Sequence, residues 1–395
     1  MQYWLKKLLN SFEKKSLTKR TNSFFHIPPT MKGVPLWNAS RFDELAEESY
    51  CKNVIVYRAV TLIARNLASV PWRLQDGKTS LKDHPLLDLI KTPNPSHTGV
   101  SFLESLTSYL LLSGNCYIEL VNTPDNQWQL YLLRPDRVQI VPDEEGHSYL
   151  YSVGEKRRII KKSSLSAIQP LLHLKLFHPL NDWYGMSPVE ATAASIDHHN
   201  EVAKHNLAIL QNGGRPSGAL ILEGDDIHRL SEEDHQTLRT QIREMFQGAD
   251  NAGRVVVLEG KMKWQELSIS PKDMDFIESK YVAAREIAQA YGVPAMLVGV
   301  PGDATFANYK EARLHLWEDT ILPLLDKIIS EMNRWLCPLF GDKMNFSYDL
   351  ESIPALVVRR EALWARLEGC SFLTNDEKRE ALGYSREVPG FTKSI

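Results

Sequence analysis

The clearest helical periodicity in this 395-residue chain lies between residues 274 and 325. Apolar or small residues recur at helical spacing, at positions 277, 281, 284, 288 and 291. Gly292 and Pro294 then predict a helix end, because glycine accepts the left-handed cap conformation and proline cannot continue a helix. We predict a helix over 274–291, a glycine-containing loop over 292–307 and a second long helix over 308–336. No catalytic signature occurs in this stretch. We therefore interpret it as a structural wall with a constriction, and not as an active site.

A strong helix start signal occurs at Ser187. Ser187 suits the N-cap, Pro188 suits the first helical position, and Glu190 completes a capping box. The predicted helix covers 188–211 and ends at Gly213 and Gly214. Between the two long helices we predict a small α/β insert over 212–273, with a strand at 218–222, a helix at 231–246 and hairpin strands at 254–259 and 263–267.

The chain before residue 187 mixes helical and alternating patterns, which predicts an α+β lobe. Predicted helices cover 53–67, a short stretch after His84, and 99–112. Predicted strands cover 72–75, 116–121, 128–133, 138–142, 149–153 and 171–176. After the long helix over 308–336 we predict a strand at 344–348 and helices at 353–368 and 375–382. Residues 1–45 and 384–395 are expected to be poorly ordered.

Composition and charge narrow the possible functions. The chain is 43% apolar and 24% charged, which is typical of globular proteins, and its length suggests two or three lobes. Its formal net charge of −3 argues against tight nucleic-acid binding, because that affinity comes mainly from neutralised phosphates. If the protein meets DNA, we expect it to guide DNA without holding it.

Targeting and cysteine patterns favour a soluble intracellular protein. The four cysteines contain no Cys-x-x-Cys pair, which argues against a zinc ribbon and fits a reducing compartment. The uncharged runs at 105–118 and 287–302 are too short and broken to span a bilayer. Six basic residues within the first twenty, against Glu13, indicate either a frayed arm or a contact arm for a partner.

Candidate catalytic and metal motifs are weak. Gly77 and Lys78 resemble the end of a phosphate-binding loop, but Trp72 stands where that motif needs glycine, so a hairpin turn is predicted instead. Glu201 and His205 are four residues apart on one helix face, which leaves open a metal pair, a contact between subunits or a polar surface. Neither a Gly-x-Ser-x-Gly elbow nor a His-Glu-x-x-His motif is present. We therefore predict no enzyme, no catalytic residues, no metal and no cofactor.

Several motifs, taken in order, carry a resemblance. They lie at 84–86, 93–95, 114–117, 133–138, 185–188, 285–288, 291–294, 297–299, 304–308 with Glu311, and 373–377 with Leu382 and Gly383. In this order they resemble the head portal family of tailed double-stranded DNA phages, the long-tailed type that also occurs in prophages and gene transfer agents. The chain departs from the family pattern in two places. Its C-terminal region is short, and Ala307 and Phe306 stand where a serine and a tyrosine, respectively, are expected.

The resemblance implies an α+β portal fold that assembles as a ring of about twelve copies at one capsid vertex. Its implied parts are an N-terminal arm at 1–45, a wing at 46–187, stem helices at 188–211 and 274–291 around a clip at 212–273, a tunnel loop at 292–307, the rest of the wing at 308–350 and a short crown and tail at 351–395. DNA would enter and leave through the ring. The implied partners are the major capsid protein, the terminase large subunit as packaging ATPase and a head–tail adaptor, with no membrane. The expected location is the particle vertex, and the host cytoplasm during assembly.

The resemblance also assigns candidate sites. The tunnel loop would present Pro301, Gly302, Asp303, Ala304, Thr305 and Phe306 to DNA. The stem would line the channel with Glu278, Lys280, Tyr281 and Arg285. The acidic residues of the clip are either a solvated face or a rim for docking and subunit contact, formed by Asp225, Asp226, Glu232, Glu233 and Asp234. Two alternatives remain open, a non-portal adaptor or scaffold of a phage-like particle and a metal-dependent hydrolase.

Overall fold

The structure, a computed structural model, describes residues 46–77, 79–143, 146–161, 169–211, 218–222, 236, 240, 262–266, 276–302, 306–341 and 343–381. Its helices are α1 (Val54–Ala68), α2 (Pro85–Lys91), α3 (Gly99–Ser113), α4 (Pro188–Ala191), α5 (Ala193–Gln211), α6 (Phe276–Ala290), α7 (Phe306–His315), α8 (Leu322–Leu336), α9 (Val357–Glu368) and α10 (Asn375–Ala381). Its strands are β1 (Trp72–Asp76), β2 (Thr79–Leu81), β3 (Asn115–Asn122), β4 (Trp128–Leu133), β5 (Val138–Asp143), β6 (Gly146–Val153), β7 (Lys156–Lys161), β8 (Leu171–Lys175), β9 (Gly218–Leu222), β10 (Met262–Glu266) and β11 (Met344–Tyr348). The predicted mixture of helix and sheet is confirmed.

The described strands form four small antiparallel sheets. Their strand orders are β11-β1-β2, β4-β3-β8, β5-β6-β7 and β10-β9. The first sheet joins distant parts of the chain, since Leu74 pairs with Phe346. Within the predicted insert, Gly218 pairs with Glu266, so β9 and β10 bring the two ends of that insert together.

One large apolar core lies between α1, α3, α6 and α8. Each of these helices contributes side chains with no solvent exposure, among them Ile63, Leu106, Ile287 and Leu325. Burial of each such side chain contributes about 1.5–3 kcal/mol to folding. Because α6 contributes to this core, its inner face is fixed to the body of the protein.

A second, smaller core lies between β3, β8 and the β5-β6-β7 sheet, and a half-buried histidine packs against it. His173 stacks on Tyr117 with ring centroids 4.3 Å apart. Its Nε2 lies 3.0 Å from Asn115 Oδ1, so the tautomer with a proton on Nε2 donates to that oxygen. Burial, assisted by the charge of Lys175 and by His147, lowers the pKa of His173 from its ordinary value of 6.5 to about 3.

We expect the protein to lose stability in acid because of His173. The unfolded chain takes up a proton on this side chain below pH 6.5, whereas the folded chain resists it until about pH 3, so the unfolding free energy falls as pH drops through that window. Thermal unfolding measured from pH 7.5 to pH 4 should show this decline, and His173→Gln should flatten it. An equally steep decline in the variant would show that other groups cause the acid sensitivity.

Three local features differ from the predicted elements. The helix expected over 188–211 is interrupted at Thr192, whose hydroxyl and backbone N–H both donate to Pro188 O, at 2.8 and 3.1 Å. The helix expected over 308–336 contains a π-helical turn at Leu316–Ile321. This turn ends two residues before Pro323, which has no backbone N–H to donate within a regular helix. Strand β7 was not predicted, because its Lys-Arg-Arg start does not alternate.

Candidate functional site

Helices α5 and α6 lie side by side and run in opposite directions; we call them the helix pair. Near one end Ser195 Oγ donates to Glu286 Oε2 at 2.7 Å, and near the other the rings of His205 and Phe276 lie 5.0 Å apart. Small buried residues on α6, including Ala283 and Ala284, allow close packing. With 19 and 15 residues, the helices are about 28 and 22 Å long.

The four candidate channel residues of α6 divide between two faces. Glu278 and Arg285 are exposed on the same face, with Arg285 Nη1 3.4 Å from Glu278 Oε1. Tyr281 is half-buried and packs against the large core. Lys280 lies close enough to His199 for its positive charge to lower the pKa of that histidine. Ile277 belongs to the predicted apolar stripe, yet it is 67% exposed because the start of α6 extends beyond the core.

Arg285 also contacts the loop that follows α6. Its Nη2 donates to Pro301 O at 3.1 Å. At the start of that loop Gly292 has a φ of +66°, as the predicted helix cap requires, and its carbonyl accepts from Thr320 Oγ1 at 2.6 Å. The loop is therefore held by α6 at one point and by the π-helical turn at another, with Pro301 and Gly302 exposed.

The remaining candidate loop and insert residues are only partly described. Phe306 begins α7, but its side chain lies outside the described residues. The same holds for Asp303, Ala304 and Thr305, and for the acidic residues Asp225, Asp226, Glu232, Glu233 and Asp234. Their assignments stay predictions.

A buried polar cluster that sequence reasoning missed fixes α5 to α1. Asn53 caps α1 by accepting from Ile55 N and Val56 N at 3.0 and 3.2 Å. Its amide donates to Asn200 Oδ1 at 3.0 Å and lies 3.2 Å from His199 Nδ1. Burial and the charge of Lys280 lower the pKa of His199, so this ring is neutral near pH 7. An asparagine before a helical pattern is a recognisable N-cap signal, but its partners on α5 are not.

Two motifs distant in sequence form one contact before α4. Asn115 Oδ1 accepts from Gly185 N at 2.7 Å, and its amide donates to Gly185 O at 3.2 Å. Gly114, with a φ of +72°, lies directly beneath Gly185, where neither residue has space for a side chain. The predicted capping box follows and is confirmed, with Glu190 N donating to Ser187 Oγ at 3.2 Å and Ser187 N to Glu190 Oε1 at 3.3 Å.

Among the described residues, the fold does not bring the candidate metal and phosphate-binding residues together into a site. Glu201 accepts from Lys204 Nζ at 2.7 Å, and His205 contacts Phe276. The described residues contain no group of three metal-ligating side chains placed around one point. Gly77 lies in the turn between β1 and β2 with a φ of +60°, which confirms the predicted hairpin. None of the described helices combines the length and apolar character needed to cross a bilayer.

Comparisons with known proteins agree with this architecture. Residues 54–383 match the family model for the phage portal protein. A chain from the neck of an empty gene transfer agent particle, computed with C6 symmetry, is 39% identical, with a TM-score of 0.73 over 91% of this chain and 98% of that one. A chain from the neck of the native particle, computed with C12 symmetry, is 38% identical, with a TM-score of 0.70 over 91% and 97%. An uncharacterized protein of Rickettsia bellii is 44% identical over 87% of this chain and 89% of its own.

These matches first define a class, the structural proteins of phage-like particles. Within that class the chain belongs to the phage portal protein family, and its function is that of a portal in a phage-like particle. The expected family and fold class are thereby confirmed. The family is structural rather than enzymatic.

Proposed function

We propose that copies of this chain form a ring at one capsid vertex and that double-stranded DNA passes through its centre. The observation that carries this proposal is the similarity over nine-tenths of the chain to proteins in particle necks computed with C6 and C12 symmetry. Identical subunits related by a closed rotation axis form a ring, and a ring leaves an opening on that axis.

In this proposal the helix pair is the stem of the ring. Its inner faces are fixed by the large core and by the Asn53 cluster, so its outer faces are free to line a channel or meet a neighbouring subunit. The exposed side chains mix both signs, as Glu278 and Arg285 illustrate. Such a surface suits a passage, because each uncompensated positive charge, repeated around a ring, would strengthen phosphate binding and slow the DNA.

The loop held by Arg285 is the proposed constriction. Pro301 is exposed, and its carbonyl is fixed to the proposed stem, so the loop can project while its base stays in place. We assign the insert at 212–273, which contains β9 and β10, to the clip, which would dock the packaging ATPase and later the head–tail adaptor. The body would contact the major capsid protein.

The test combines assembly with packaging. Electron microscopy of the purified protein should show rings with a central opening. Arg285→Gln should still form rings, because Arg285 is exposed and outside the core, but particles that carry it should package several-fold less DNA, since the loop loses its contact at Pro301. DNA protected from nuclease in purified particles is the measurement.

Lys204→Gln is the matched control. It removes the same charge from the other helix of the pair, where Lys204 Nζ lies 2.7 Å from Oε1 of its helix neighbour Glu201. Normal packaging by this control would assign the effect to the loop contact. Equal loss in both variants would indicate a charge effect and contradict the loop assignment, and a wild-type chain that never forms rings would contradict the proposed function.

A further inference from the structure

A short turn between β8 and α4 exposes two large apolar side chains. Leu180 is 91% exposed and Phe177 is 83% exposed, and they are the most exposed large apolar residues in the part of the chain that the structure describes. Pro179 lies between them. Residues 176–181 contain no aspartate, glutamate, lysine or arginine. We call residues 177–180 the apolar turn.

The apolar turn is anchored on both sides. Before it, Leu176 N donates to Gly114 O at 2.8 Å. After it, Asn181 Oδ1 accepts from Trp183 N at 2.8 Å, and the Trp183 side chain is buried in the smaller core. Within it, Leu180 N donates to His178 Nδ1 at 3.0 Å. A protruding apolar group on a fixed base loses little conformational entropy on binding, which is the property of an interface anchor.

We propose that the apolar turn inserts into a neighbouring copy of this chain and forms a main contact between subunits; this rests on the ring proposed above. A closed ring of identical subunits uses heterologous contacts, in which one patch of each copy fits a different surface of the next copy. A projecting apolar turn suits the first of these two surfaces. Related chains in necks of C6 and C12 symmetry indicate such neighbours of the same kind. The absence of charged residues in the turn agrees with the centre of an interface, where charged residues are depleted.

The test is ring assembly by a variant with both Phe177→Ser and Leu180→Ser. Since both side chains point to solvent in the isolated chain, the variant should fold with an unchanged melting temperature. The protein concentration at which half the chains are in rings, measured by mass photometry, should rise about tenfold or more. Val100→Ser is the matched control, because Val100 is an exposed apolar residue on α3, and it should assemble as the wild type does.

Two results would overturn this inference. One is normal ring assembly by the double variant while the wild type also forms rings. If the rings of the double variant then fail to join particles, the turn contacts a different protein of the particle. The other is an equal loss in the double variant and the control. If the wild type itself forms no rings, the proposed function fails first, so the two failures remain distinguishable.

Discussion

Gly185→Ala is expected to destabilise the protein more than an ordinary substitution of a buried residue. A Cβ atom at this position would lie 2.1 Å from Gly114 O, 2.7 Å from Leu176 N and 2.8 Å from Leu176 O, all of them backbone atoms that cannot rotate away. Relief requires β3 and the approach to α4 to separate, which breaks the two hydrogen bonds between Asn115 and Gly185. We expect the unfolding free energy to fall by about 3–5 kcal/mol, a large fraction of the roughly 5–15 kcal/mol of a typical domain. The soluble yield and the urea midpoint measure it.

Gly369→Ala is the control for this substitution. Gly369 follows α9 with a φ of −70°, and its added Cβ would meet nothing closer than 3.7 Å. The same chemical change should therefore be neutral or stabilise the protein by up to about 1 kcal/mol, through the unfolded chain. If Gly185→Ala unfolds at the same urea concentration as the wild type, the close packing at Gly114 is not a requirement of the fold.

Local signals in the sequence predicted local structure well. Strands β4, β9 and β11 were predicted at their observed bounds. In β4 and β11 apolar residues recur at every second position, and β9 is a short apolar run that follows glycine and proline. The capping box at Ser187 was also predicted, since all of its atoms lie within four residues. Strand β7 was missed because Ile160 is its one buried side chain, which leaves no alternation to detect.

Contacts between distant residues could not be predicted in the same way. The motifs at 114–117 and 185–188 were both recognised, yet nothing in either indicates that Asn115 bonds to Gly185, 70 positions away. Likewise, Arg285 and Pro301 were both candidate residues, but their hydrogen bond depends on how the loop turns after Gly292. Ile277 was predicted to be part of the buried face of its helix, but it is exposed. Helical spacing identifies the apolar face of a helix and does not show where the core that covers this face ends.

Asn53→Ala is expected to loosen α5 from the body and to lower the unfolding free energy by about 3 kcal/mol. Loss of the N-cap costs about 1 kcal/mol, and the buried Asn200 oxygen left without its donor costs about 1–3 kcal/mol more. Asn53 is 1% exposed, so water cannot replace the missing amide. Urea unfolding followed by tryptophan fluorescence measures the loss.

Thr98→Ala separates the two contributions to this loss. Thr98 caps α3 by accepting from Ser101 N at 3.3 Å, but it is exposed and has no partner on a distant element among the described residues. Its replacement should cost about 1 kcal/mol or less. A similar loss in both variants would mean that Asn53 acts only as a helix cap. A larger loss in Asn53→Ala, accompanied by fewer rings at equal protein concentration, would mean that the buried cluster holds the proposed stem at the angle that assembly requires.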